Sequence, residues 1–465
     1  MAPRNRRFRT ATRTILFAAA LCALASAHAA DVQWPVHLNA KGYLEDAAGK
    51  PFPLIGDAGW VMSTRMNPTE VTTYLDNRQQ KGFTATNLMA TVVYPPEGPE
   101  DYAGEVPFPK GVQDWSERNE AYWSFIDYII TQAKNRGILV FVAPAYLGYQ
   151  CGEEGWCVDM IAQTNAAMTD YGTWIANRYK SYGNVIWLNG GDCNCNDYAG
   201  ACARVDAVAN GIRAADPAAL QTAHSGRQHS ALDDYNKPWL NINTTYSECT
   251  SYATRLRNDY QRANALPFVY IEGRYEFDQN EPPTAACIDG QMLSAFFGGA
   301  LLGHVYGNDN VFDKKSTWQT NVGMNSPGAT AMGNISRLLK SRKWYELVPD
   351  YGNVVVTSGK GSGENYQAAA RGSSGETVMI WYPQATTATV NMTQVAGTQA
   401  RAWWWDPESN TASSAGTFDT TGSKSFQPSR ARMVLVLDNA AANLPAPGQT
   451  ATVLRPKAPT GVQAH

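Results

Sequence analysis

Two carboxylates stand at the ends of apolar runs: Asp192 follows Val185-Ile186-Trp187-Leu188-Asn189-Gly190-Gly191, and Glu272 follows Pro267-Phe268-Val269-Tyr270-Ile271. Such a pair suits acid/base chemistry. Cleavage of a glycosidic bond needs one carboxyl group to protonate the leaving oxygen and another to attack, or to activate water, around an oxocarbenium-like transition state. Asp192 is assigned as general acid/base and Glu272 as nucleophile. Gly190-Gly191 would let a ligand approach the backbone beside Asp192. Arg274 and Tyr275 are placed to donate hydrogen bonds that keep Glu272 ionised. Glu276 and Asp278 are the alternatives for the second carboxylate should the strand end later.

Other polar residues at strand ends are substrate-binding candidates. Asp57 could bind sugar hydroxyls and Trp60 could form a stacking wall, or Asp57 could be a buried group holding a loop. Asn189 precedes Asp192 on the same run. His224 ends a fifth run, and Asn243 and Tyr246 end a sixth; each could touch substrate or the nucleophile. His304, Tyr306 and Asp309 cluster after an eighth.

The elements that must position these residues alternate strand and helix. Strand patterns fall at Leu54 to Asp57, Ala85 to Met89, Ile138 to Ala143, Val185 onward, Leu220 to Ala223, Leu240 to Thr245, Pro267 to Ile271 and near His304. Between them lie helical patterns, among them one capped by Asn67 with Pro68 at its first position and Gly82 as its stop. Another repeats Tyr122, Phe125, Ile126, Ile129, Ile130 and Ala133 at helical spacing. Further helices are expected at Met168 to Tyr182, Ala203 to Ala215, Tyr252 to Asn264, Met292 to Leu302 and Ala329 to Arg342. Eight such units without a glycine-rich phosphate loop favour a closed (β/α)₈ TIM barrel over an open doubly wound sheet. Asp192 and Glu272 then close its fourth and seventh strands, where catalytic groups of such barrels gather. The Pro- and Gly-rich segment from Tyr94 to Val112 is expected to be a substrate loop.

After about Leu347 the pattern changes to short strands separated by Gly, Ser, Thr and Asn, an antiparallel β-sandwich. Trp403 to Trp405 are read as part of its core rather than as a sugar platform. The expected organisation is a signal peptide at 1–30, a barrel at 31–346, a sandwich at 347–438 and a disordered tail at 439–465.

The first thirty residues carry five arginines, an apolar run and small residues around Ala29, the layout of a cleaved export signal. Removing them takes 38 basic residues to 33 against 41 acids, a net charge of −8. No basic stripe remains for phosphate contacts, so nucleic acid and anionic membrane are poor partners. A monomer, secreted or periplasmic, is expected, and acid/base glycoside cleavage requires no cofactor and no metal. Of the 8 cysteines, Cys22 lies in the expected signal peptide; of the seven others, Cys151 is expected to pair with Cys157, Cys193 or Cys195 with Cys202, and Cys249 with Cys287, leaving one free thiol.

The segments Pro53-Leu54-Ile55-Gly56-Asp57-Ala58-Gly59-Trp60, Trp187-Leu188-Asn189-Gly190-Gly191-Asp192 and Ile271-Glu272-Gly273-Arg274-Tyr275-Glu276 resemble those of the apiosidase-like glycoside hydrolases. The likeness covers roughly residues 40 to 345, and Trp403-Trp404-Trp405-Asp406-Pro407 resembles the collagen-binding-type β-domain that often follows. The resemblance implies a (β/α)₈ fold and an Asp/Glu catalytic pair at Asp192 and Glu272. It also implies plant pectin side chains carrying apiose as one substrate. The cysteines depart from that pattern, since Cys193, Cys195 and Cys202 follow the acid directly and Cys151 to Cys157 stiffens the loop after the third strand. Both features would reshape the pocket. The leading expectation is therefore a secreted two-carboxylate glycoside hydrolase, retaining, acting on plant or microbial polysaccharide. The alternatives are a non-catalytic carbohydrate- or matrix-binding protein and a hydrolase using the leftover thiol.

Overall fold

The computed structural model describes residues 32–93, 98–152 and 154–449. The expected signal peptide and the end of the expected tail lie outside them. Eight parallel strands form the barrel: β1 (Leu54–Asp57), β2 (Ala85–Met89), β3 (Leu139–Ala143), β4 (Val185–Gly190), β5 (Gln221–His224), β6 (Asn243–Tyr246), β7 (Phe268–Glu272) and β8 (Gly303–Tyr306). Their order in the sheet is β5-β4-β3-β2-β1-β8-β7-β6. Strands covered by side chains on one face and helices on the other read as unbroken apolar runs, and Leu139-Val140-Phe141-Val142-Ala143 is buried at every position.

The seam between β5 and β6 is different. Here threonine side chains replace a regular ladder: Thr222 Oγ1 donates to Ile242 O at 2.8 Å and Thr244 Oγ1 to Ala223 O at 2.6 Å. Both strands start later than their apolar residues predict, because Leu220 and Leu240 precede the paired segment.

Helices α1 (Pro68–Lys81), α2 (Glu120–Asn135), α3 (Asn165–Tyr179), α4 (Ala201–Ala215), α5 (Ala231–Asp234), α6 (Tyr252–Gln261), α7 (Ala285–Phe297) and α8 (Pro327–Lys340) surround the sheet. Asn67 accepts from the amides of Thr69 and Glu70 while Glu70 reaches back to the Asn67 amide, a reciprocal cap that fixes the start of α1. Gly82 ends it in the left-handed region. Helix α7 begins seven residues before its expected start, capped by Thr284, whose Oγ1 accepts from Cys287 N. No helix among the described residues is long and apolar enough to cross a membrane.

The C-terminal region pairs two antiparallel sheets. With β9 (Leu347–Pro349), β10 (Val356–Ser358), β11 (Ala369–Gly372), β12 (Thr377–Tyr382), β13 (Ala388–Asn391), β14 (Gln399–Asp406), β15 (Thr411–Asp419), β16 (Ser423–Phe426) and β17 (Met433–Asn439), the orders are β9-β11-β12-β17-β14-β15 and β10-β13-β16. Alternate residues of β12 serve two cores. Val378, Ile380 and Tyr382 face the second sheet, with Val390, Leu435 and Leu437. Met379 and Trp381 instead join Trp405, Val434 and Val436 against Leu293, Phe296, Ile335 and Leu338 of the barrel helices. That is why β12 has no polar face.

Two ion pairs reinforce the junction, Arg342 Nη2 with Asp438 Oδ2 at 2.6 Å and Arg432 Nε with Asp289 Oδ2 at 2.7 Å. Residues 440–449, expected to begin a disordered tail, run over this junction instead. Arg342 donates to Pro445 O, and Gly448 N donates to Ser341 Oγ. Disulfides join Cys151 to Cys157, Cys195 to Cys202 and Cys249 to Cys287, and Cys193 is a buried free thiol.

Candidate active site

Asp192 lies two residues beyond β4 and Glu272 is the last residue of β7, so both carboxyl groups emerge at the same end of the barrel. Gly190 has φ +79°, and a Cβ there would sit 2.5 Å from His224 O; one on Gly191 would sit 2.5 Å from Leu147 N. The glycine pair therefore serves close passage of neighbouring backbone rather than ligand approach. Leu147 N donates to Gly190 O, Gly191 N to His224 O and Gln150 N to Asp192 O, at 3.1, 3.1 and 2.9 Å. These bonds hold the acid's backbone from both sides.

The two carboxyls open into a cleft of about 530 Å³, lined around them by Trp60, Tyr146, Tyr246 and Tyr275. His224 is fully buried beneath it, and its Nε2 lies 2.6 Å from Glu272 Oε2. The rings of Trp60, Tyr146 and Tyr246 pack around the imidazole with centroids 5.6, 6.2 and 5.4 Å away. Burial alone would pull the His224 pKa down; the hydrogen bond and charge of Glu272, then the charge of Asp192, outweigh it and the net shift is upward. Trp60 Nε1 donates to the Tyr275 hydroxyl at 2.9 Å, and that hydroxyl reaches Glu272.

Asp192 is in the opposite situation. Its Oδ1 is buried without a hydrogen-bond partner among the described residues. Burial first, and then the charge of Glu272, push its pKa up to about 7. The two carboxyl groups thus sit in different surroundings, one pushed up by burial and a neighbouring charge, the other hydrogen-bonded to a buried imidazole.

Several expected contacts fall elsewhere. Asp57 is wholly buried under the cleft, where Tyr74 Oη donates to it at 2.5 Å and Arg78 Nε at 2.8 Å, so it ties α1 to β1. Asn189 donates to Gln221 Oε1 and Thr222 O within the sheet. Asn243 accepts from Leu232 N, and Tyr306 donates to Glu276. Glu276 also accepts from Gly328 N, which removes it as the second carboxylate. His304 is buried against Tyr270 O, and burial takes its pKa down to about 3. Arg274 lines the cleft, yet its guanidinium is turned to Glu281, Asp278 and Glu248 at 2.5, 3.1 and 3.5 Å rather than to Glu272. The described part of the 94–112 segment stays outside the cleft. Its Phe108 stacks on Trp115 at 4.5 Å in an aromatic cluster with Trp123, Trp156 and Tyr171.

The structure adds Tyr146, Tyr149, Glu154, Arg227 and Glu281 to the lining. They sit on loops with no periodic signal; only the flanking Cys151 and Cys157 marked one of those loops as fixed in place.

A family model described as apiosidase-like, catalytic domain, matches residues 39–346. The chain belongs to this family. A second model, described as "Putative collagen-binding domain of a collagenase", matches residues 348–438 of this apiosidase-like protein. Family membership makes the barrel the catalytic domain of a glycoside hydrolase.

Among solved structures, the apiosidase-like chain is similar to a glycoside hydrolase family 5 protein from Bacteroides vulgatus ATCC 8482. That match has TM-score 0.74 and 21% identity, and covers 88% of this chain and 94% of that one. A second structure, described as a glycoside hydrolase, gives the same score and identity over 88% of this chain and 99% of its own. A structure described as a "putative glycoside hydrolase" from the same Bacteroides strain matches at TM-score 0.64 and 14% identity, over 87% and 82% of the two chains. At these identities the likeness concerns the fold. A comparison with curated proteins returns no match.

Proposed function

We propose that the protein is an exported, retaining glycoside hydrolase that removes sugars from plant or microbial polysaccharide, with Asp192 as acid/base and Glu272 as nucleophile. The observation that carries this reading is the pair of carboxyl groups at the ends of β4 and β7 that open into one cleft, where burial and the charge of Glu272 push the Asp192 pKa up. Glu272 Oε2 is occupied by His224, which leaves Oε1 to attack the anomeric carbon. As that bond forms, the glycosidic C–O bond breaks and Asp192 gives its proton to the departing oxygen. Asp192, now a carboxylate, then takes a proton from water; the water oxygen displaces Glu272, and the configuration is restored after two inversions.

A retaining mechanism needs the two carboxyl groups about 5 to 5.5 Å apart, and an inverting one about 6.5 to 9.5 Å. The family's description makes apiose a candidate for the released sugar. Three disulfides suit an oxidising compartment.

The test is sugar release from a panel of plant and microbial polysaccharides and aryl glycosides by the wild type, Asp192→Asn and Glu272→Gln. Release by the wild type that falls by about 10³-fold or more in both variants supports the reading. Equal release by all three sinks the assigned pair, and binding without release by any favours a non-catalytic carbohydrate-binding role.

A further inference from the structure

The β-domain reaches the barrel mouth as well as the barrel's helices. Helix α7 follows β7, so its N-terminus stands at the end where Asp192 and Glu272 emerge. Thr284, which caps that helix, also donates from Oγ1 to Glu364 Oε2 at 3.5 Å. Glu364 belongs to the β-domain, on the turn Gly363–Asn365 between β10 and β11. A Cβ on Gly363 of the same turn would sit 3.9 Å from Thr250 O, in the segment between β6 and α6. The turn is held from behind. Gln367 N donates to Lys360 O at 2.7 Å, and Lys360 Nζ pairs with the buried Asp350 at 3.1 Å.

Among these parts runs a groove of about 270 Å³, lined by Cys249, Thr250, Pro282, Pro283, Thr284 and Glu364. It shares Arg274 and Glu281 with the catalytic cleft, so the two spaces abut along those residues. That border is built from ion pairs. Arg274 Nη1 lies 2.5 Å from Glu281 Oε2 and 3.5 Å from Glu248 Oε2. Glu248 lines the groove and also meets Nε of Arg227, a cleft residue, at 3.1 Å. The Cys249–Cys287 disulfide then ties the segment that carries Glu248 and Thr250 to α7, and so to Thr284. The groove is therefore fixed in place against the cleft, with one wall supplied by the second domain.

We infer that this groove is a remote sugar-binding subsite, built jointly by barrel and β-domain, which holds a residue of the glycan beyond those at the scissile bond by its hydroxyl groups. The inference rests on the hydrolase reading and gives the β-domain a part in it. Glu281 and Thr284 are exposed and Glu364 is half-buried. Their carboxylate oxygens accept charge-assisted bonds from sugar hydroxyls, and the threonine hydroxyl can donate or accept. Pro282 and Pro283 offer apolar rings to the C–H faces of the same sugar. A glycan held at Asp192 and Glu272 that runs past Arg274 enters the groove, whereas one that ends within the cleft does not. Contacts so far from the reacting bond are made equally in the ground and transition states, so they act on KM rather than on kcat.

Substrate length provides the test. Oligosaccharides of graded length from apiose-carrying pectin and from xylan are presented beside aryl glycosides. For the wild type, kcat/KM is expected to rise with length through a falling KM. Glu364→Ala removes the acceptor on the β-domain side, and Thr250→Trp fills the groove from the other wall. Each variant, checked for an unchanged melting temperature, is expected to lower the ratio of kcat/KM on the longest oligosaccharide to that on the aryl glycoside by about tenfold, through KM. Calorimetric binding of the longest oligosaccharide to Glu272→Gln, with and without Thr250→Trp, should show the same loss of affinity. Cleavage by the wild type that is indifferent to length, or a ratio and an affinity unmoved by the variants, overturns the inference while leaving the hydrolase reading intact. Release from none of the substrates overturns that reading, and the inference with it.

Discussion

His224 donates from Nε2 to Glu272 Oε2 across 2.6 Å from a fully buried position at the end of β5. The bond fixes which oxygen of Glu272 is free and holds the carboxylate in one orientation before substrate arrives. Preorganised groups of this kind act mainly on the chemical step. His224→Ala is therefore expected to lower kcat by about 10²-fold or more with KM changed by no more than a few-fold. A loss confined to KM would mean that His224 only shapes the sugar pocket.

Asp192 must be protonated to act as acid in the first step. With its pKa raised to about 7 by burial and by Glu272, the protonated fraction is high below that pH and falls as pH rises through it. The kcat/KM profile should therefore have a descending limb near pH 7. For aryl glycosides whose leaving group needs no proton, the limb should flatten, because glycosylation then proceeds without the acid. A limb that is equally steep for both substrate types would assign the titration to another group.

The same shift has a consequence for stability. A carboxyl whose folded pKa lies above its unfolded value binds its proton more tightly when folded, so stability is lost as pH rises from the unfolded pKa, near 4, through about 7. Asp192→Asn removes that loss. Its melting temperature should exceed that of the wild type at pH 8, and the gain should shrink towards zero near pH 4. Calorimetry at the two pH values checks both signs.

The barrel was legible because its strands alternate with capped helices and because β3, β4 and β7 are nearly pure apolar runs. The placement of Asp192 and Glu272 at the barrel mouth was legible for a related reason: a charged residue ending such a run has to face that mouth or be paired. Sequence could not tell those two outcomes apart. Asp57 and Glu272 both end strands, yet Arg78 and Tyr74 neutralise the first from α1, while the second opens to the cleft. Asn243 and Tyr306 were lost in the same way, to Leu232 N and Glu276. In the β-domain, Thr411-Ala412-Ser413-Ser414-Ala415-Gly416-Thr417 of β15 carries little strand signal because it is an edge strand with little to bury.

The three disulfides close loops of different length, and the chain-entropy argument ranks them. Cys151–Cys157 spans 6 residues and Cys249–Cys287 spans 38, which corresponds to about 2 and about 4 kcal/mol respectively. A Cys249→Ser/Cys287→Ser double variant should therefore melt lower than Cys151→Ser/Cys157→Ser. Activity should follow the reverse order at a temperature where both are folded, because the shorter loop carries Glu154 into the cleft and directly follows Tyr149. Equal activity of both folded variants would show that the 151–157 loop holds its place without the bond.

The most deeply buried ion pair at the junction of β-domain and barrel joins Arg342 and Asp438, whose side chains are 1% and 3% exposed. Asp438 also accepts from Thr377 Oγ1 at 2.8 Å, but a single hydroxyl does not offset a buried negative charge. Arg342→Ala should cost about 3 to 5 kcal/mol, since removing one partner leaves the other charged and dry. Replacing both, as Arg342→Met with Asp438→Leu, should recover most of that loss, because the apolar neighbours Trp344 and Met379 can pack against the new side chains. Urea unfolding of the single and double variants decides it. A double variant as unstable as the single would mean that the pair works through the hydrogen bonds of Arg342 to Ser341 O and Pro445 O, and that the terminal segment rather than Asp438 is what the arginine anchors.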